Sequence, residues 1–193
     1  MKKLDRGDLL TWPNLITLLR LCCIPVFLWL LFGRDNRAAA AWLLGALGAT
    51  DWVDGFVARR FNQVSEFGRM FDPTVDRLMF VTAIPAIVID GSVPLWVAVL
   101  AVGRELLVAV MAIALLARSL GTMTVTRHGK TGAFLLMFAF PMFLGSASTL
   151  SYAPLLGWMA WVFALPGIGY SWYSLLFDYL PEARRRFGSG RSA

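Results

Sequence analysis

Charge is scarce in this chain of 193 residues: Asp, Glu, Lys and Arg together make up only 16 % of it. A soluble domain carries about a quarter, and here 58 % of the residues are hydrophobic, with a mean hydropathy of +0.65. A protein of that composition belongs in a bilayer. Cysteine is nearly absent too: the only two, Cys22 and Cys23, are adjacent inside an apolar run. That placement fits neither a disulfide framework nor a C-x-x-C metal site, and both read as small apolar fillers. A single histidine, His128, lies in a basic stretch that reads as a loop, so a Ser-His-Asp set is excluded and a solvated or headgroup-facing role is expected. No Walker motif, internal repeat or low-complexity run occurs. The net charge of +6 could suggest nucleic acid, but the cations sit in short segments between apolar runs instead of one stripe. Anionic lipid headgroups are the expected partner, and no nucleic acid.

What is present is a succession of apolar runs. The N-terminal MKKLDRGDLLTW mixes charge with leucine and ends on Trp12, for which a short helix lying at the membrane interface is the simplest reading and a disordered tail the alternative. Six spans follow, at about 14–32, 38–61, 71–89, 94–117, 131–150 and 155–180, so the expectation is an all-α polytopic membrane protein forming one domain over 1–193. Basic residues ahead of Leu21 could mimic a signal peptide, but Arg20 and Pro25 interrupt that segment, and Arg34, Asp35 and Arg37 crowd the would-be cleavage site. Thirteen of the eighteen Lys and Arg fall on the side of the termini, only Arg34 and Arg37 on the other, and Arg20, Arg77 and Arg104 within or at the edge of spans. By the positive-inside rule both termini are cytoplasmic. In the aromatic-rich sixth span, Trp158, Trp161, Tyr170, Trp172 and Tyr173 read as lipid-facing packing.

One polar stretch stands out, DWVDGFVARRFNQVSEFGRMFDPTVD, from Asp51 to Asp76. Its pattern is D-x2-D-G-x2-A-R-x8-G-x3-D-x3-D. Eight specified residues, each about one in twenty by composition, match a given start by chance with probability on the order of 10⁻¹⁰, which argues against ordinary loop charges. Asp51 and Asp54 are three apart and Asp72 and Asp76 four apart, so on helices each pair lies about one turn apart. A four-carboxylate cluster offers hard oxygen ligands suited to Mg²⁺ or Mn²⁺, as one ion or two, and not to soft metals. Gly55 and Gly68 would let a nucleotide or phosphate approach the backbone, and Arg59 could clamp a phosphate; helix packing and a positive-inside anchor are the plainer readings of each alone. A cation carrier, the non-enzymatic alternative, would explain the carboxylates but not the offsets of Gly55, Arg59 and Gly68.

The whole pattern resembles the signature of the CDP-alcohol phosphotransferases (CDP-alcohol phosphatidyltransferases), membrane enzymes with six helices. The resemblance implies transfer of a phosphatidyl group from CDP-diacylglycerol to an alcohol with release of CMP, and a homodimer. Carried over by position, it makes Asp51, Asp54, Asp72 and Asp76 the divalent-metal site and Asp76 the general base on the acceptor hydroxyl. The CDP pocket would be formed by Asp54, Gly55, Ala58, Arg59, Gly68 and Asp72.

Features outside the signature bear on the acceptor. The opening TWPNLITLLRL, with Arg20, is similar to phosphatidylglycerophosphate synthases and the related eukaryotic-type cardiolipin synthases. Arg20, Arg104 in VGREL, and Arg127 and Lys130 in VTRHGKTGAF are the expected acceptor-binding cations, although Arg104 could instead pair structurally with Glu105. Where phosphatidylglycerophosphate synthases usually carry a second lysine for the dianionic phosphate of glycerol 3-phosphate, this chain has Gly132. Loss of that cation favours phosphatidylglycerol, a monoanionic phosphodiester, as acceptor, with glycerol 3-phosphate as the alternative. The segments VPLW, GREL and GKTGAFLLMFAFP also look most like the cardiolipin synthases.

Overall fold

Long apolar stretches separated by Gly, Pro, Asp and Ser leave the backbone one way to satisfy its polar groups in a bilayer, and the computed structural model is helical throughout, with no strand among the described residues. It describes residues 12–61, 66–121 and 126–189, with side chains for 18–50, 78–121 and 126–188. Helix α1 (Trp12–Leu28) contains Pro25 and passes into a π-helical turn, Trp29–Gly33. Then come α2 (Arg37–Phe61), α3 (Glu66–Ile89), α4 (Leu95–Ala117) and α5 (Arg127–Ser146). Helix α6 (Ala153–Tyr173) runs through a second π-helical turn, Ser174–Tyr179, into α7 (Leu180–Ser189).

Small residues determine which helices meet. Helices α5 and α6 form the most extensive contact, and α6 presents Ala160, Ala164, Gly167, Ser171 and Ser174 to it, a ridge of small side chains three or four apart. Such a ridge lets two backbones approach closely, and van der Waals contact then takes the place of the hydrophobic drive that lipid does not supply. On its other side α5 lies against α2, where a Cβ on Gly48 would sit 3.1 Å from Met137 Cγ and one on Gly45 3.8 Å from Pro141 Cβ, an antiparallel register. Helix α1 lies on α3, and α4 runs beside α6, with Trp96 stacked on Trp161 at 5.6 Å and Trp172 Nε1 donating to Leu100 O at 3.2 Å. The apolar core between these helices includes Phe27, Leu31, Ile87, Val97, Phe143 and Leu144.

Among the described residues three helical stretches are long and apolar enough to cross a membrane: Leu95–Ala117, Arg127–Ser146 and Ala153–Gly188. Within the described residues Leu18–Gly33 and Leu78–Ile89 are apolar but shorter. Leu95, Val99, Leu106, Val110 and Ile113 of α4 are exposed, as lipid-facing side chains are. Trp29, Trp42, Trp96 and Trp158 are also exposed, each near the short connections 34–36, 90–94 and 147–152, as an interfacial belt at that end would be.

The expected helix at residues 1–12 falls, but for Trp12, outside the described residues. The fifth helix begins at Arg127, four residues ahead of the expected Thr131, so Arg127, His128 and Lys130 lie in its first turn and not in a loop. The reason is Thr126, whose extended backbone and hydroxyl make it the N-cap: its Oγ1 accepts from Gly129 N at 3.1 Å. The sixth span also outruns expectation, continuing helically to Ser189. Of its aromatics, Trp158, Tyr170 and Tyr173 are exposed as expected, whereas Trp161 and Trp172 face α4.

Candidate active site

The signature is carried by helical backbone. Asp51, Asp54, Gly55, Ala58 and Arg59 fall in the last three turns of α2, and Gly68, Asp72 and Asp76 in the first half of α3. Helical spacing therefore sets each aspartate pair about one turn apart along its own helix. The side chains of all eight lie outside the described residues. Among the described residues no cluster of three or more His, Cys, Asp or Glu occurs.

A polar cluster is described where α4, the start of α5 and the end of α6 meet. Arg104 is 5 % exposed; its Nε donates to Ser171 O at 3.3 Å, its Nη1 pairs with Glu105, and its guanidinium lies 5.6 Å from the centre of the Tyr179 ring. The structural pairing with Glu105 considered from the sequence is thus formed. Thr126 and Ser174 share a hydrogen bond between hydroxyls at 2.5 Å, and Thr126 N donates to Tyr179 Oη at 3.3 Å. His128 Nδ1 lies 3.3 Å from Asp178 Oδ2, with the rings of Tyr170 and Tyr173 at 6.4 and 5.1 Å. Ser171 Oγ is buried without a hydrogen-bond partner among the described residues, pressed against α5 at Gly132.

Of the four expected acceptor-binding cations, Arg127 and Lys130 are exposed in the first turn of α5, and neither has an ion-pair partner among the described residues. Arg104 is enclosed in the seam behind them. Arg20 is buried in α1 about 12 Å from that helix's first residue, at 1.5 Å per residue. The expectation that Gly132 stands at a vacated phosphate position needs revision, because glycine there is required by packing. A Cβ at Gly132 would lie 2.4 Å from Ser171 Oγ, 2.7 Å from Ser171 N and 2.9 Å from Gly167 O, two of them backbone atoms. A lysine stem built at 132 would push α5 and α6 apart before its ammonium reached any phosphate.

The sequence reading passed over Thr126, Ser171, Ser174, Asp178 and Tyr179. A signal existed for two of them: Ser171 and Ser174 continue the line of small residues Ala160, Ala164 and Gly167 along one face of α6. Tyr179 reaches this face only through the π-helical turn, which no periodicity announces.

The sequence profile described as CDP-alcohol phosphatidyltransferase matches residues 10–166, which takes in the whole signature. The chain belongs to the CDP-alcohol phosphatidyltransferase family. It is therefore a phosphatidyltransferase, and as a member of this membrane-enzyme family it is one that uses CDP-diacylglycerol, an alcohol acceptor and a divalent metal ion. Over 188 residues it is 35 % identical to the cardiolipin synthase (CMP-forming) of Streptomyces coelicolor, covering 95 % of this chain and 87 % of that one. A probable phosphatidylglycerophosphate synthase of Mycobacterium tuberculosis is also 35 % identical, over 72 % of this chain and 68 % of its own. The CDP-diacylglycerol–glycerol-3-phosphate 3-phosphatidyltransferase of Bacillus subtilis is 36 % identical over 48 % of this chain and 55 % of its own. Relatives of this phosphatidyltransferase thus bear the names of both acceptor types.

Proposed function

We propose that this phosphatidyltransferase is a cardiolipin synthase: the hydroxyl of phosphatidylglycerol attacks the phosphatidyl phosphorus of CDP-diacylglycerol, the bond to CMP breaks, and the acceptor proton passes to Asp76. The observation that carries the choice of acceptor is the extent of similarity. At equal identity, the synthase named for cardiolipin aligns with nearly the whole chain, and those named for glycerophosphate with less of it. Gly132 no longer contributes to the choice. Glycerol 3-phosphate is the alternative, with the same base and the same signature.

In this reading Asp51, Asp54, Asp72 and Asp76 hold Mg²⁺ or Mn²⁺; four carboxylates are the donor set such an ion takes. When bound, the ion screens the pyrophosphate and stabilises the charge developing on departing CMP. Asp76 needs to lie within hydrogen-bond reach of the acceptor hydroxyl to take its proton. Gly55, Ala58 and Gly68 leave the helix backbones open to the nucleotide, with Asp54, Arg59 and Asp72 as its polar contacts. The antiparallel register of Gly45 and Gly48 on Pro141 and Met137 supports one catalytic level. Continued along both helices, it sets residues 51 and 54 of α2 level with the first turns of α5, which carry Arg127 and Lys130.

A helix N-terminus carries a partial positive charge, so two cations there with no acidic residue in the first turn repel it unless an anion is present. An acceptor phosphate supplies that anion, held by Arg127 and Lys130, with Arg104 behind them and Arg20 as the further candidate on α1. Six spans, cytoplasmic termini and a cytoplasmic active site belong to the proposal, supported by the six long helices among the described residues, the exposed tryptophans at one end and the basic residues at the other, and a homodimer is carried over from the family resemblance.

Purified enzyme given CDP-diacylglycerol with phosphatidylglycerol or glycerol 3-phosphate in turn should release CMP and form cardiolipin from the former. If phosphatidylglycerophosphate is the main product when both are offered, the alternative acceptor is correct; absence of CMP release with every acceptor would favour the carrier reading.

A further inference from the structure

Between Ser174 and Tyr179 the winding of α6 changes from α to π before α7 resumes. A π-helical turn bonds i to i+5 and so re-aims the side chains it carries. Here the residues it carries converge on a single turn of another helix. Ser174 Oγ meets the Thr126 hydroxyl at 2.5 Å, Tyr179 Oη accepts from Thr126 N at 3.3 Å, and Asp178 pairs with His128 at 3.3 Å. Ser174 and Tyr179 are 0 % and 4 % exposed, so two of these contacts are shielded from water.

The turn so gripped is the one that begins α5. Thr126 is its N-cap, held to Gly129 N, and it is gripped at both its hydroxyl and its backbone amide. Arg127 and Lys130, in the turn that Thr126 opens, have exposed side chains and no ion-pair partner among the described residues. Behind the turn stands Arg104, held over the Tyr179 ring and bonded to Ser171 O. The backbone is thus fixed from the protein side while the two cations are left to the ligand, the arrangement expected of a preorganised anion site.

We propose that Tyr179 and Ser174 are positioning residues for the acceptor: through Thr126 they fix the first turn of α5 and with it the reach of Arg127 and Lys130 toward the acceptor phosphate. This rests on the reading above that those two cations receive the acceptor. Neither positioning residue touches substrate. Their effect falls on acceptor recognition and spares CDP-diacylglycerol, whose pocket residues lie on α2 and α3.

The test uses the full chain in detergent or liposomes, with Tyr179→Phe removing one hydroxyl and no volume, Ser174→Ala as a second small change, and Lys130→Ala for comparison. KM is measured for CDP-diacylglycerol and for the better of phosphatidylglycerol and glycerol 3-phosphate, together with thermal unfolding of each variant. Tyr179→Phe should raise the acceptor KM about fivefold, the loss of one ordinary hydrogen bond, with the KM for CDP-diacylglycerol within about twofold of wild type. Combined with Lys130→Ala it should cost less than the product of the two separate effects, because both act through one turn. Equal shifts in both KM values, or a lower melting temperature with both KM values unchanged, would make Tyr179 a structural brace and overturn the inference. In that case a raised acceptor KM in Lys130→Ala leaves the acceptor assignment standing. Should Lys130→Ala and Arg127→Ala both leave the acceptor KM unchanged, that assignment fails, and the positioning role with it.

Discussion

The two ends of the helix bundle solve different problems. At the end with the short connections, polar groups pair with one another. Arg37 Nε reaches Asp90 Oδ2 at 3.0 Å, the Asp90 side chain is 5 % exposed, and Ser92 donates to the same carboxylate. Asn36 caps α2 by accepting from Ala39 N at 2.9 Å, Gly91 turns the chain at φ 78°, and Arg34 lies over the Trp29 ring. The Asp90 hydrogen bond and charge raise the affinity of the Arg37 guanidinium for its proton. At the opposite end hydroxyls of Thr126, Ser174 and Tyr179, with the His128–Asp178 pair, join α5 to the end of α6, and Arg127 and Lys130 are left without ion-pair partners among the described residues. A closed polar rim is compatible with stability alone. An end that leaves two cations without ion-pair partners among the described residues, and ties down the backbone beneath them, fits the anion-receiving role proposed above.

Chelation should have the largest effect on this contrast. EDTA should reduce CMP release to background and Mg²⁺ or Mn²⁺ should restore it; full turnover in chelator after metal removal would leave the four aspartates without their proposed role. Next in size is Asp76→Asn, which keeps the shape and loses the proton acceptor. Turnover should fall by about 10² or more while CDP-diacylglycerol still binds, as read by single-turnover and binding assays. Near-normal turnover would move the base elsewhere.

Gly132→Ala probes the seam beneath the basic end. A methyl within 3 Å of two α6 backbone atoms should destabilise the fold by about 1–3 kcal/mol, seen as a melting temperature lower by several degrees. Unchanged melting would mean that α5 and α6 are less close than described. The smallest effect is expected at the short-turn end. Asp90→Asn leaves the partly exposed Arg37 with a weaker partner and should cost about 1–2 kcal/mol of stability. Specific activity per folded molecule should not change. A loss of acceptor affinity in Asp90→Asn would erase the distinction between the two ends.

Much of this was legible in the residues alone. The scarcity of charge and the spacing of apolar runs identified a helical membrane protein and located the six long helices among the described residues, with ends mostly within about five residues and the last helix running nine residues further, because a chain in lipid has few ways to satisfy its backbone. The eight spaced residues from Asp51 to Asp76 identified the family, since they specify chemistry and not only hydrophobicity. Local pattern was weaker at helix ends: the basic run VTRHGK reads as a loop until the Thr126 cap is seen to start α5 there.

What only the tertiary structure decided concerns residues whose meaning depends on a distant neighbour. Gly132 reads as an absent lysine until Ser171 and Gly167 are seen within a methyl's reach, because close packing is a property of two helices and not of either sequence. Arg104 reads as a ligand or as a partner of Glu105 until the fold is seen to pair it with Glu105 and set it beside Ser171 and Tyr179. Tyr179, 53 residues from Thr126, acquires its role from a π-helical turn that helical periodicity does not encode. Composition and offsets determine the solvent and the chemistry, since each residue contributes to them on its own. Which backbone a side chain braces is decided only when the chain has folded back on itself.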